Sequence, residues 1–133
     1  MIRLGTDIVY IPRIEAAIVR FGDRFLQRIY TQVEQYDCGY APDSPGRPST
    51  AQLAGRWAAK EAIVKALATG WRGIGYTEVE IRRQPSGAPT VYLHGGAAAV
   101  VAIWEQQSWQ LSLSHDRDYA IATALLIAQE RAN

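Results

Sequence analysis

A chain of 133 residues with a formal net charge of +1 and 48% hydrophobic residues has the size of one domain, here read as 1–133, and the composition of an ordinary soluble globular protein. No apolar run approaches the roughly 20 residues of a membrane span, so nothing argues for a membrane, and the near-neutral charge gives no global signal for nucleic acid. The single cysteine, Cys38, has no intramolecular disulfide partner, and Met1 runs into Ile2-Arg3-Leu4-Gly5 without a basic-then-apolar leader, so a cytoplasmic setting is expected.

In chain order, residues 2–9 read as a strand with Ile2, Leu4, Thr6 and Ile8 on one face and Arg3, Gly5, Asp7 and Val9 on the other. Asp7 is thus an acid among apolar neighbours, beside a glycine that leaves room for a backbone or a ligand. Pro12 suits the first turn of a helix over about 12–21 that Gly22 stops, and Asp23 can cap a helical turn through Ile29. Arg13, Arg20, Arg24 and Arg28 concentrate positive charge here, either as a solvated face or as a docking strip for an acidic partner. Phe21, Phe25 and Tyr30 read as core-facing. Thr31 to Glu34 has the form of a capping box for a short helix ending near Gly39, and the proline-rich stretch 41–49 reads as a surface loop.

Ser49-x-x-Gln52 resembles a second capping box, opening a central helix that Gly70 closes. At 100° per residue, Leu53, Val64 and Ala68 fall within about 40° of Trp57, and Glu61 lands inside that apolar stripe. Lys65 lies one turn further, while Lys60 projects about 100° away from Glu61. A half-buried carboxylate needs a counter-charge, and the candidates are Lys65, a metal ion, or a phosphate drawn in by both. Glu followed by Lys at i+4 is also an ordinary surface pair, worth about 0.2–0.5 kcal/mol. With two histidines and one cysteine a zinc site is short of ligands, so a hard divalent ion on carboxylates is the better match.

Beyond the helix, Gly70, Gly73 and Gly75 read as turn residues, because they lack the spacing of a phosphate-cradling loop. Residues 77–83 alternate as a strand, and the turn Pro85-Ser86-Gly87-Ala88-Pro89 leads into 90–93 to make a hairpin. A helix is expected over 97–107. Residues 109–115 and 119–127 then form a second hairpin across Asp116-Arg117-Asp118, with Leu111 and Leu113 facing one way, Ser112 and Ser114 the other, and His115 at the turn.

Three separated pieces carry a family resemblance: Gly5-Thr6-Asp7-Ile8-Val9 with Arg13-Ile14, Gly55-Arg56-Trp57-Ala58-Ala59-Lys60-Glu61-Ala62 with Lys65-Ala66-Leu67, and Ser112-Leu113-Ser114-His115 with Tyr119-Ala120-Ile121-Ala122. In their order and spacing they resemble the 4′-phosphopantetheinyl transferases, and by length the short holo-[acyl-carrier-protein] synthase type. The Gly87-Ala88-Pro89 turn and Leu93-x-Gly95 fit as well. Departures are the 41–49 insertion, Trp57 where phenylalanine is usual, and alanine at 88 where a basic or polar residue is common.

The resemblance implies an α+β fold with an antiparallel sheet packed on a long central helix, assembling as a homotrimer with active sites between subunits. It implies transfer of the phosphopantetheine arm of coenzyme A to a serine of an apo acyl carrier protein, releasing adenosine 3′,5′-bisphosphate, a step that serves fatty acid biosynthesis and lipid metabolism. Asp7 and Glu61 match the magnesium ligands, and with Lys65, the phosphate-contacting lysine, they form the catalytic set. His115, Arg56, Gly87 and Pro89 match the coenzyme A site together with Lys65. Arg13 matches an arginine that meets the acidic helix of the carrier, with Arg20 and Arg24 as further docking residues. Either a metal-bound water or Glu61 itself qualifies to take the serine proton.

A non-catalytic rival is an adaptor that docks acidic helices through its N-terminal arginines, with Glu61 and Lys65 as a structural ion pair. A nucleic-acid-binding domain would explain the arginines, but it requires stacking aromatics beside them and a basic face.

Overall fold

The protein is described by a computed structural model over residues 1–132. Strand β1 (Ile2–Tyr10) pairs antiparallel with the last strand, β5 (Tyr119–Glu130), and β4 (Trp104–Asp116) pairs antiparallel with β5 on its other side, giving the order β1-β5-β4. Alternation places Gly5, Asp7 and Val9 opposite Ala124, Ala122 and Ala120, and the register extends these rows to Leu111, Leu113 and His115 of β4. The central helix α4 (Thr50–Leu67) lies across β1 and β5 on this face. Small residues are what let it approach. A Cβ on Gly5 would collide with the carbonyl of Ala62 and meet the backbone nitrogen of Ala66 at 3.0 Å.

The stripe reading of α4 puts the Trp57–Glu61–Ala68 side in the core, whereas the structure leaves Trp57 and Glu61 only partly buried and Lys65 and Ala68 exposed along that side, and buries the others, including Ala54, Ala58, Ala59, Ala62 and Ala66. A helix flanked on most sides by other elements has no wide polar face. This layout carries the expected α+β class, with an antiparallel sheet on a long central helix.

Helix α1 (Ile11–Phe21) has Pro12 in its first turn and stops at Gly22, whose positive φ of +57° is the expected side of the map but whose ψ of −133° departs from the expected left-handed helical cap, a combination open to glycine. Phe21 is exposed rather than core-facing and lies under the Arg20 guanidinium at 5.0 Å. In α2 (Asp23–Ile29) the N-cap is Gly22, so Asp23 stands inside the first turn, where its charge complements the helix dipole, and does not cap through its side chain. Helix α3 (Gln32–Asp37) carries the full Thr31–Glu34 capping box. No helix or strand occurs over 41–49.

At the start of α4, Ser49 Oγ accepts from the Gln52 nitrogen, but the reciprocal half of the box is absent because Gln52 Oε1 accepts from Arg83 instead. The helix ends before Gly70: Ala68 adopts the left-handed conformation, and the Arg3 guanidinium takes the open Leu67 carbonyl at 3.1 Å.

A 3₁₀ turn at Tyr76–Glu78 precedes β2 (Val79–Arg83), which pairs with β3 (Pro89–Leu93) in a separate two-stranded sheet. The expected strand thus begins at 79, since the turn takes its first residues. The helix expected over 97–107 is only α5 (Gly95–Val101). Glu105, Gln106 and Gln107 offer no apolar side to bury, and the chain from Trp104 extends the ladder with β5 through a bulge.

Candidate active site

Asp7 faces α4 from the sheet, and its carboxylate meets Lys65. Lys65 Nζ donates to Asp7 Oδ1 at 3.1 Å and to the Thr6 carbonyl at 3.0 Å, with side-chain exposures of 56% for Lys65 and 18% for Asp7. The ammonium therefore neutralises Asp7 while remaining open to solvent.

Lys65 pairs with Asp7, not with Glu61. This corrects the helix-local reading, in which the acid and the amine at i+4 share a face as an ion pair. Glu61 instead accepts from two neutral donors, Trp71 Nε1 at 3.3 Å on Oε2 and the Tyr76 hydroxyl at 3.2 Å on Oε1. Burial, followed by the adjacent Glu61 charge and its hydrogen bond, pushes the Tyr76 phenol up to about 12. The Tyr76 ring stacks between Trp57 and Trp71, with centroid distances of 5.1 and 4.0 Å.

The fully buried charge on α4 is Lys60. Its ammonium donates to Glu34 Oε1 at 2.8 Å, to the Tyr76 carbonyl at 2.9 Å and to the Val79 carbonyl at 2.6 Å. Burial lowers its pKa, with Glu34 opposing. The other Glu34 oxygen accepts from the Ile81 nitrogen, so this pair ties α3, α4 and β2 together. Helical spacing alone does not single out Lys60 as buried. Alanine on several sides of α4 was the available signal, because a helix buried on most sides leaves any charge between those alanines in need of a partner.

Arg56, Gly87, Pro89 and His115 line one cavity of about 350 Å³, together with Arg83, Ser112 and Ser114. Arg56 is buried, stands 3.7 Å from Asp37 Oδ2, and its Nε has no partner among the described residues. A cationic wall with an unsatisfied donor, two hydroxyls and an imidazole can take an anionic group. Asp7, Glu61 and Lys65 do not line this cavity, so within one chain the sequence-predicted residues fall into two groups.

Arg13, Arg20 and Arg24 are exposed, and neither they nor Arg28 form an ion pair among the described residues. Arg24 and Arg28 border a second cavity of about 460 Å³ whose floor includes Phe25, Trp57 and Tyr76. It reaches the tyrosine that holds Glu61.

For a divalent ion, Asp7 and Glu61 supply hard oxygen donors. An all-oxygen pair suits magnesium, which keeps several waters, better than zinc; Asp7 is paired with Lys65 here, and Glu61 meets neutral donors among the described residues.

The 4′-phosphopantetheinyl transferase superfamily model matches residues 3–124. The chain is 51% identical over 125 residues to a holo-[acyl-carrier-protein] synthase of Gloeobacter violaceus, covering 94% of this chain and 92% of that one. It is 44% identical over 123 residues to a protein of the same name from Koribacter versatilis, covering 92% and 94%. Among solved structures, the "ACPS-CoA complex" of Chronobacterium ammoniagenes superposes with a TM-score of 0.81 at 31% identity, over 98% of this chain and 99% of that one. A Helicobacter pylori holo-[acyl-carrier-protein] synthase in complex with coenzyme A gives a TM-score of 0.76 at 32% identity, over 95% and 99%. The resemblance carried by the three sequence motifs is therefore borne out along nearly the whole chain, and the protein belongs to the 4′-phosphopantetheinyl transferase superfamily.

Proposed function

We propose that this chain, acting as one transferase domain, is a holo-[acyl-carrier-protein] synthase that moves the phosphopantetheine group of coenzyme A onto a serine of an apo acyl carrier protein, releasing adenosine 3′,5′-bisphosphate. The observation that carries the reading is the juxtaposition of a solvent-open Lys65 and the half-buried Asp7 on the face shared with Glu61's helix, in a chain of this family. The serine hydroxyl attacks the pantetheine-side phosphorus of the pyrophosphate, its proton passes to Glu61 or to water, and the bond from that phosphorus to the oxygen of the departing adenosine 3′,5′-bisphosphate breaks. Positioning and charge neutralisation do most of the work in such a transfer.

Asp7 and Glu61 are the residues that would hold magnesium. Magnesium held there would supply charge neutralisation of the pyrophosphate. Lys65 is exposed enough to leave Asp7 for a phosphate oxygen, where it stabilises charge on the leaving group. Arg56, with its unpartnered Nε, and His115, with Gly87 and Pro89 in the same cavity, bind the nucleotide end of coenzyme A. Arg13, Arg20 and Arg24 dock the acidic helix of the carrier, supported by their exposure and lack of ion pairs.

The working form is a homotrimer with each site completed by a neighbouring subunit. Two observations support it. The outer sheet face presents exposed Ile2, Leu4, Ile8 and Tyr10 of β1 beside Tyr119, Ile121 and Ile127 of β5, a contiguous row of apolar side chains of the kind that marks an interface. The nucleotide cavity and the Asp7–Lys65 pair also share no lining residue, as expected if two copies face each other across the interface. The compartment we assign is the cytoplasm, supported by the buried, unoxidised thiol of Cys38.

The decisive experiment mixes the purified protein with apo carrier protein, coenzyme A and magnesium, with and without EDTA, and follows the carrier by mass spectrometry. The expected result is a phosphopantetheine mass shift that EDTA, Asp7→Ala and Glu61→Ala each abolish. Carrier binding without a mass shift would instead identify an adaptor, and near-normal turnover by both variants would remove the metal assignment. Sedimentation velocity tests the trimer.

A further inference from the structure

Glu61 is partly buried and has no cationic partner among the described residues: both of its oxygens are held, and both by neutral donors. We infer that Trp71 and Tyr76 are positioning residues for Glu61, fixing its carboxylate for the metal through one hydrogen bond to each oxygen. This rests on the reading above in which Glu61 is a metal ligand.

The geometry supports the role from three sides. A carboxylate oxygen accepts two hydrogen bonds, so one donor on each leaves one lone-pair direction per oxygen open to an ion. The donors are neutral and stand at 3.2 and 3.3 Å, so they orient the carboxylate without cancelling its charge as a lysine or arginine would. The donors are also held in place themselves. The Tyr76 ring is sandwiched between Trp57 and Trp71, and the Tyr76 carbonyl is anchored by the buried Lys60 ammonium at 2.9 Å. Lys60 is the residue before Glu61, so one turn of α4 fixes both the carboxylate and the backbone of the tyrosine that orients it. Held on two oxygens, the carboxylate loses less rotamer freedom when an ion arrives.

A purely structural reading assigns the aromatic stack to packing alone. Tyr76→Phe separates the two, since it keeps every ring contact and removes only the hydroxyl, and Trp71→Phe similarly removes the indole N–H while keeping a ring. The test is Mn²⁺ binding to the full chain, followed by electron paramagnetic resonance at a fixed coenzyme A concentration whose own Mn²⁺ binding is subtracted, with thermal midpoints measured in parallel. The expected result is a midpoint within about 2–4 °C of the unmodified protein for Tyr76→Phe and Mn²⁺ affinity about tenfold weaker, the lower end of what loss of an outer-shell partner costs. Trp71→Phe is expected to shift affinity in the same direction. Glu61→Gln is the reference for loss of the ligand. If Glu61→Gln weakens Mn²⁺ binding but Tyr76→Phe and Trp71→Phe bind like the unmodified protein, the positioning role is overturned and the metal assignment survives. If the unmodified protein and Glu61→Gln bind Mn²⁺ alike, both are overturned.

Discussion

Lys60 donates to Glu34 across 2.8 Å with neither side chain exposed to solvent, each at 0%. All three ammonium protons are used, on Glu34 and on the carbonyls of Tyr76 and Val79. Removing one partner strands the other as a buried charge, which costs about 3–5 kcal/mol. Lys60→Ala is therefore expected to lower the thermal midpoint steeply, and replacing both residues by apolar ones, Lys60→Met with Glu34→Leu, to recover much of the loss. Calorimetry checks this, and a Lys60→Ala protein as stable as the unmodified one contradicts the pair's structural role.

Lys65→Ala is expected to behave in the opposite way. Its pair with Asp7 is half open to water, and such pairs contribute about 0–1 kcal/mol. Stability should hardly change, while turnover falls by roughly 10²–10³, as for loss of one donor aimed at developing charge. The expected signature is a large drop in kcat with an unaltered unfolding curve.

Gly5→Ala introduces a methyl group where α4 rests on β1. The Ala62 carbonyl and the Ala66 nitrogen are backbone atoms and cannot swing away, so helix and sheet must separate. Overpacking of this kind costs about 1–3 kcal/mol. Because Asp7 and Lys65 meet across the same contact, turnover should fall further than the stability change alone explains. Urea unfolding and steady-state rates, measured on one preparation, decide this.

Arg13→Glu and Arg24→Glu should raise the KM for carrier protein with a smaller effect on coenzyme A. Both residues are exposed, so the attraction is screened over a Debye length of about 8 Å at physiological ionic strength, and high salt should mimic the variants. Unchanged carrier KM at low salt would leave these arginines as a solvated face.

Much of the fold was legible locally, because period-two and helical patterns, Gly22 with its φ of +57° and the Thr31–Glu34 box report on interactions within a few residues of chain. The Glu61 assignment shows where that information ends. Helical spacing places Lys65 beside it, but an i+4 neighbour is only one of the groups a side chain meets, and Asp7, 58 positions away in sequence, offers Lys65 a carboxylate together with the Thr6 carbonyl. Trp71 lies in the glycine-rich loop and Tyr76 opens the 3₁₀ turn that ends it, a stretch with no periodicity, so only its return against α4 brings them to the carboxylate. The residue types, their order and the family were determined by the sequence. Which charge pairs with which was decided by the tertiary structure, because the buried Arg56 and Lys60 of α4 need counter-charges that only α3 supplies, and the approach of β1 brings Asp7 to Lys65.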